Sequence, residues 1–119
     1  MELTEHIAAF LRAHGFSDAT SGAMPPEPDR AVTVYATGVR ARRDEEGSRF
    51  QIIVRSEKGI DTALADAMQI MELLDDFSGI TAIDSPYFSR IVAESGIATM
   101  GEDSSRRLLY SLNFRAWYC

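Results

Sequence analysis

Near its end the chain places an apolar residue at every second position. Leu108, Tyr110, Leu112, Phe114 and Ala116 alternate with Leu109, Ser111, Asn113, Arg115 and Trp117. A period of two is that of a strand with two unlike faces. The first set predicts a row facing a core. The second set is mostly polar but carries Leu109 and Trp117, and predicts a face turned to solvent or to another subunit. Residues 101–107 (GEDSSRR) lead into it as a charged, turn-like cluster, and the whole reads as a long strand closing the domain. Two earlier runs are strands by the same test and by their β-branched and aromatic content: 31–36 (AVTVYA), and 49–55 (RFQIIVR), where Phe50, Ile52 and Val54 oppose Gln51, Ile53 and Arg55. Residues 87–93 (YFSRIVA) make another strand, and 96–101 a loop that feeds the last.

Two segments carry a helical period instead. Leu3, Ile7, Phe10 and Leu11 share a face, with Thr4 as N-cap and Gly15 at the C-terminal stop. Ala63, Ala67, Ile70, Leu74 and Phe77 recur beside Leu64 and Met71 between an Asp61 N-cap and a Ser78-Gly79 stop. Between these elements, 16–30 holds Gly22, Pro25, Pro26 and Pro28, which rule out a regular helix and predict an ordered loop or an extended arm. Residues 37–48 set Arg40, Arg42 and Arg43 against Asp44, Glu45 and Glu46. Tight hairpins use about 2 to 5 loop residues, so this longer connection is read as a solvated tip or, in an assembly protein, a docking loop.

The order helix-strand-strand-helix-strand-strand predicts an α+β fold, in which a mostly antiparallel four-stranded sheet packs against two helices in a single domain covering residues 1–119. Composition agrees with a chain that folds: 45% of residues are hydrophobic and 25% charged. The formal charge of −6 argues against a surface made to grip nucleic acid or an anionic membrane, which needs concentrated Lys and Arg. Cys119 is the single cysteine, so neither an internal disulfide nor a Cys/His metal framework is expected. The opening MELTEHIAAFLRAHG is acidic where a secretion signal is basic, and no run approaches the ~18 apolar residues of a membrane span. Folding in a cytoplasm is therefore expected.

Chemistry is harder to find. His6 and His14 are too far apart for one metal site, and the adjacent Asp75 and Asp76 point about 100° apart on a helix and cannot act as a facing pair. Met68 and Met71 read as core filler. Ser104 and Ser105 lack a nucleophile-elbow context, and no phosphate-cradling glycine loop or cofactor fingerprint occurs. No catalytic, cofactor-binding or metal residue is assigned, and an enzyme is not expected. Glu102, Asp103, Arg106 and Arg107 form a charged cluster that serves either as an internal ion-pair network or as a contact with a neighbour.

The pair Met24-Pro25, the strand QIIVR at 51–55, the helix with Ala63, Ala67 and Ile70, and the run GEDSSRRLLYSLNF at 101–114 together resemble the bacteriophage minor capsid and tail-terminator family of siphophages and prophages. Gly101, Asp103, Arg106, Ser111, Asn113 and Phe114 stand at the matching positions of that family's closing strand. The resemblance implies a homo-oligomeric ring, expected as a hexamer, at the head-proximal end of the tail tube. Such a ring stops tube polymerisation and offers a surface for head joining. The implied partners are further copies, the tail tube protein and a head connector or completion protein. DNA would pass without sequence-specific contact, no cofactor or membrane takes part, and assembly would take place in the host cytoplasm. On this reading Arg40, Arg42, Arg43, Asp44 and Glu45 in the charged loop, with Leu109, Arg115 and Trp117 on the last strand, are candidate interface residues, and Asp103, Arg106 and Arg107 a candidate ion-pair cluster. The alternatives are another connector or head-completion protein of the virion, or a cellular small-ligand-binding α+β module.

Overall fold

The computed structural model describes residues 2–37 and 47–118. Among these the elements run α1 (Leu3–Ala13), β1 (Thr20–Ser21), β2 (Ala31–Ala36), β3 (Ser48–Arg55), α2 (Ala63–Leu74), β4 (Phe77–Ile80), β5 (Tyr87–Ala93), β6 (Ala98–Glu102) and β7 (Leu108–Tyr118). The expected four-stranded sheet is therefore wrong. Seven strands form one curled, mixed half-barrel sheet in the order β1-β2-β3-β7-β5-β4, with β6 also on β7. The three additional strands escaped the pattern for physical reasons. β1 has two residues and no period to read. β4 (FSGI) breaks its alternation at Gly79, whose φ is +129°. Every residue of β6 is exposed, so it has no apolar face. The sheet is mixed because β1 runs parallel to β2, while the other pairings are antiparallel.

β7 does not close the sheet from an edge but runs through its middle. One side pairs with β3 from Leu109 to Ala116. The other side is shared, with β6 along 108–111 and β5 along 114–118. The two partners meet at Asn113, whose carbonyl accepts the Glu94 N–H at 2.8 Å. The expected inner row is buried at Leu112, Phe114 and Ala116, with Leu108 and Tyr110 half-buried.

Both helices cover the same face of the sheet. Ile7, Phe10 and Leu11 of α1 and Ala67, Ile70 and Leu74 of α2 join Val34, Phe50, Ile52, Phe88, Leu112 and Phe114 in one buried cluster. Phe50 and Phe114 face each other across β3 and β7 with stacked rings, centroids 5.3 Å apart. The helix ends differ in detail from the sequence expectation. Thr4 lies buried within α1, and the N-terminal turn is closed by Glu5, whose carboxylate accepts the Glu2 N–H at 3.0 Å. At α2 the N-cap position falls on Thr62 rather than Asp61, although the Asp61 carboxylate accepts the Leu64 N–H at 3.2 Å. α2 stops at Leu74 rather than Phe77, because Asp75 turns extended and Asp76 takes φ +64°. The Asp76 N–H then donates to Ile91 O at 2.7 Å, which draws Phe77 into β4.

Candidate assembly surfaces

Three proline residues give segment 22–30 carbonyls without a matching set of N–H donors, and those carbonyls need partners from elsewhere. Two arginines supply them. Arg55, only 4% exposed at the end of β3, donates from Nε to Asp29 O at 2.6 Å and from NH2 to Pro28 O at 2.6 Å and Pro25 O at 2.8 Å. Arg107, at the start of β7, donates from NH1 to Pro26 O at 2.9 Å and to the Asp29 carboxylate at 3.1 Å, while its Nε meets Asp103 at 2.9 Å. The proline-rich segment is thus tied down as a strap by the adjacent ends of β3 and β7.

The electrostatics follow the geometry. Burial pulls the Arg55 pKa down, Arg107 pulls the same way, and Asp103, Asp29 and Glu27 oppose them. Burial works against charge on Arg107 too, but its hydrogen bonds to Asp103 and Asp29 prevail and raise its pKa. Asp103 is held below the ordinary carboxylate range, first by the Arg107 backbone N–H and against some desolvation, then by the Arg107 side chain and the Ser105 N–H. Of the charged trio expected here, Asp103 and Arg107 are brought together. Arg106 takes φ +64° in the turn, lies exposed, and has no ion pair among the described residues.

On the sheet face away from the helices, Arg115 donates to Glu94 through Nε at 3.0 Å and NH2 at 2.7 Å, and Arg49 reaches the same carboxylate at 3.3 Å. Beside them the Gln51 amide donates to Asn113 Oδ1 at 3.3 Å across the β3–β7 pair. Arg115 is therefore engaged within its own chain. Trp117 is half-buried and lies against Gly47, and Leu109 is half-buried between its register partners Arg55 and Gly101. Arg40, Arg42, Arg43, Asp44 and Glu45 lie outside the described residues. Arg55, Asp29 and Glu94 were not singled out from the sequence. The available signal was an arginine at the end of an apolar strand in a chain that also has a proline run.

Two clefts border this framework. One, of about 360 Å³, lies between residues 15–19, Pro28 and α2; in its wall Arg30 grips Asp66 through two hydrogen bonds of 2.6 and 2.8 Å. That contact raises the Arg30 pKa. The other, of about 310 Å³, lies between the 56–61 turn and the β6–β7 turn. Near it Tyr110 donates to Asp61 at 2.8 Å, and this hydrogen bond raises the phenol pKa. Among the described residues no cluster of His, Cys, Asp and Glu is arranged to hold a metal, and no helix is long and apolar enough to cross a membrane.

The described residues thus form a half-barrel sheet with both helices on one face, cross-linked by polar side chains between strands and to the proline-rich strap. The chain belongs to the bacteriophage tail terminator protein family, whose model matches residues 10–118. It is therefore a structural component of a phage tail, one of the virion's parts that contact other tail components. Among solved structures, one that carries no functional description is 14% identical with a TM-score of 0.51, covering 97% of this chain and 90% of the other; this likeness shows the fold alone. No curated protein matches the chain.

Proposed function

We propose that the protein caps the head-proximal end of the tail tube, stops tube polymerisation there and forms the surface that joins the tail to the head. Membership of the tail terminator family across residues 10–118 carries this reading. The protein acts as a ring of identical copies, a hexamer, whose sides close by heterologous contacts between two different patches. Its work is to present a shape, and no catalytic step is assigned. The tail tube protein binds one face of the ring and a head connector or completion protein the other. The net charge of −6 suits a passage through which DNA slides, because like charge repels phosphate. That point fails if the acidic side chains prove to line the outer wall of the ring.

Electron microscopy of tails assembled without the protein tests the main reading. Overlong tubes are the expected result. Tails of normal length that lack heads would overturn it in favour of a connector acting after the length has been set.

A further inference from the structure

Nearly all the large hydrophobic side chains left exposed among the described residues fall into two groups. Leu64 (41% exposed) and Met68 (57%) lie one turn apart on the outer side of α2 and form a short stripe, although Met68 was expected as core filler, and Ile60 (59%) is exposed in the turn that precedes the helix. Ile80 (56%), Ile83 (94%) and Tyr87 (56%) gather at the β4–β5 connection, where Ile80 and Tyr87 are register partners. Met100 alone lies apart.

The second group is held out on a built turn. Ser85 Oγ accepts the N–H groups of Thr81 and Ala82 at 2.9 and 3.3 Å, and the Ser85 N–H donates to Ala82 O at 3.1 Å. Ile83 therefore stands on a preordered tip, which loses little conformational freedom on docking. The rims carry opposite charge. Lys58, the single lysine of the chain, is exposed two residues before Ile60, and Asp84 is exposed beside Ile83. Of the acids near the stripe, Asp61 is occupied by Tyr110 and the Leu64 N–H, Glu57 lies in the field of Arg30, and Glu72 is exposed one turn beyond Met68, at the end of the stripe away from Lys58. Each group is exposed in its own chain, so neither covers the other there.

We propose that the β4–β5 tip of one copy seats on the α2 stripe of the next, with Asp84 opposite Lys58. The inference rests on the ring reading given above. A knob and a stripe on different elements make a heterologous contact. Every copy added leaves one free knob and one free stripe, so the contact propagates until it closes on itself.

Two variants, Ile83→Glu and Leu64→Glu, test it, because both positions are exposed and neither should disturb folding as followed by circular dichroism. Association of the full chain is measured by sedimentation, alone and on purified tail tubes. Each variant alone should lose self-association by about tenfold or more, as expected when a docking anchor becomes a charge. A one-to-one mixture should regain dimers and nothing larger, since each variant keeps the patch that the other lacks. A zero-length carbodiimide cross-link between copies should join Lys58 to Asp84 in the wild type and vanish in Asp84→Asn. Wild-type rings with both variants assembling equally well would overturn the proposed contact and leave the ring reading intact. A wild-type chain that stays monomeric both free and on tubes would overturn the ring reading, and the contact with it.

Discussion

Arg55 donates from Nε to the Asp29 carbonyl at 2.6 Å across 26 residues of sequence, and its other terminal bonds go to Pro25 and Pro28. A buried cation satisfied by three carbonyls in fixed directions needs the guanidinium fork, which a lysine cannot reproduce. Arg55→Lys should leave at least one of these carbonyls without a partner and cost about 1–3 kcal/mol. Urea unfolding measures the cost, and hydrogen exchange at residues 22–30 should rise with it. An unchanged midpoint and unchanged exchange would show that the strap is held by something else.

Asp103 gives stability a dependence on acid. Its folded pKa lies below the unfolded value, so the folded state is favoured while the carboxylate is ionised. That contribution is complete above about pH 4, the ordinary aspartate range, and is lost as pH falls through the lower folded pKa. Asp103→Asn should therefore be less stable than wild type at pH 7, and the difference should close as the two are titrated below pH 4. A gap that stays constant down to acid pH would contradict the assignment.

Gly47 and Gly59 form a matched pair of probes. Both take positive φ, +74° and +78°, but a Cβ at Gly47 would fall 2.9 Å from Ala116 O and from the Trp117 ring, whereas nothing lies within 4 Å at Gly59. Gly59→Ala should cost about 1–2 kcal/mol, the backbone penalty alone. Gly47→Ala should cost more, because the β7 backbone or the indole must also move. Equal losses in thermal unfolding would mean that the Ala116 carbonyl and Trp117 both give way freely.

The Arg30–Asp66 contact predicts a recovery by second substitution. Asp66 has a side chain 5% exposed against 52% for Arg30, so the carboxylate depends on the arginine more than the reverse. Arg30→Met should destabilise the fold by about 1–3 kcal/mol by leaving a buried charge unpaired. Adding Asp66→Asn should restore part of that loss, as read from chemical denaturation of the single and double variants.

The charged loop carries the last prediction. Replacing Arg42 and Arg43 together by alanine should block joining to tails while leaving the fold intact, as followed by circular dichroism. Normal tail completion with that double variant would remove the loop from the docking surface.

What could be read from the sequence follows the burial of each strand. β2, β3 and β7 each put one face into the core, so Val32, Val34, Phe50, Ile52, Leu112 and Phe114 announced themselves by alternation. β6 has no buried face, and β1 has no length, so their pairing depends on β7 and β2 and left no mark in composition. The end of α2 was misread because Phe77 sits at a helical interval from Leu74 and is apolar, yet it packs from β4, edge-on to Phe10 with centroids 5.0 Å apart. The charged trio was found as residue types, but its partner Asp29 lies more than 70 residues away and only the fold brings it near. Gln51 and Asn113, Arg55 and Arg107 prove to be ties between strands or between sheet and strap, with Asp103 holding Arg107 from within the β6–β7 turn.

β7 has consequences for mechanical load. Its ladder to β3 and its ladders to β5 and β6 together flank it from Leu108 to Tyr118. A pull directed along this strand cannot open one ladder bond by bond like a zipper. It must slide the strand past neighbours on both sides at once, so many hydrogen bonds resist together. The strand also joins the strap end of the sheet to the end that carries Gly47 and Trp117, so tension entering at one extremity is transmitted to the other with little give.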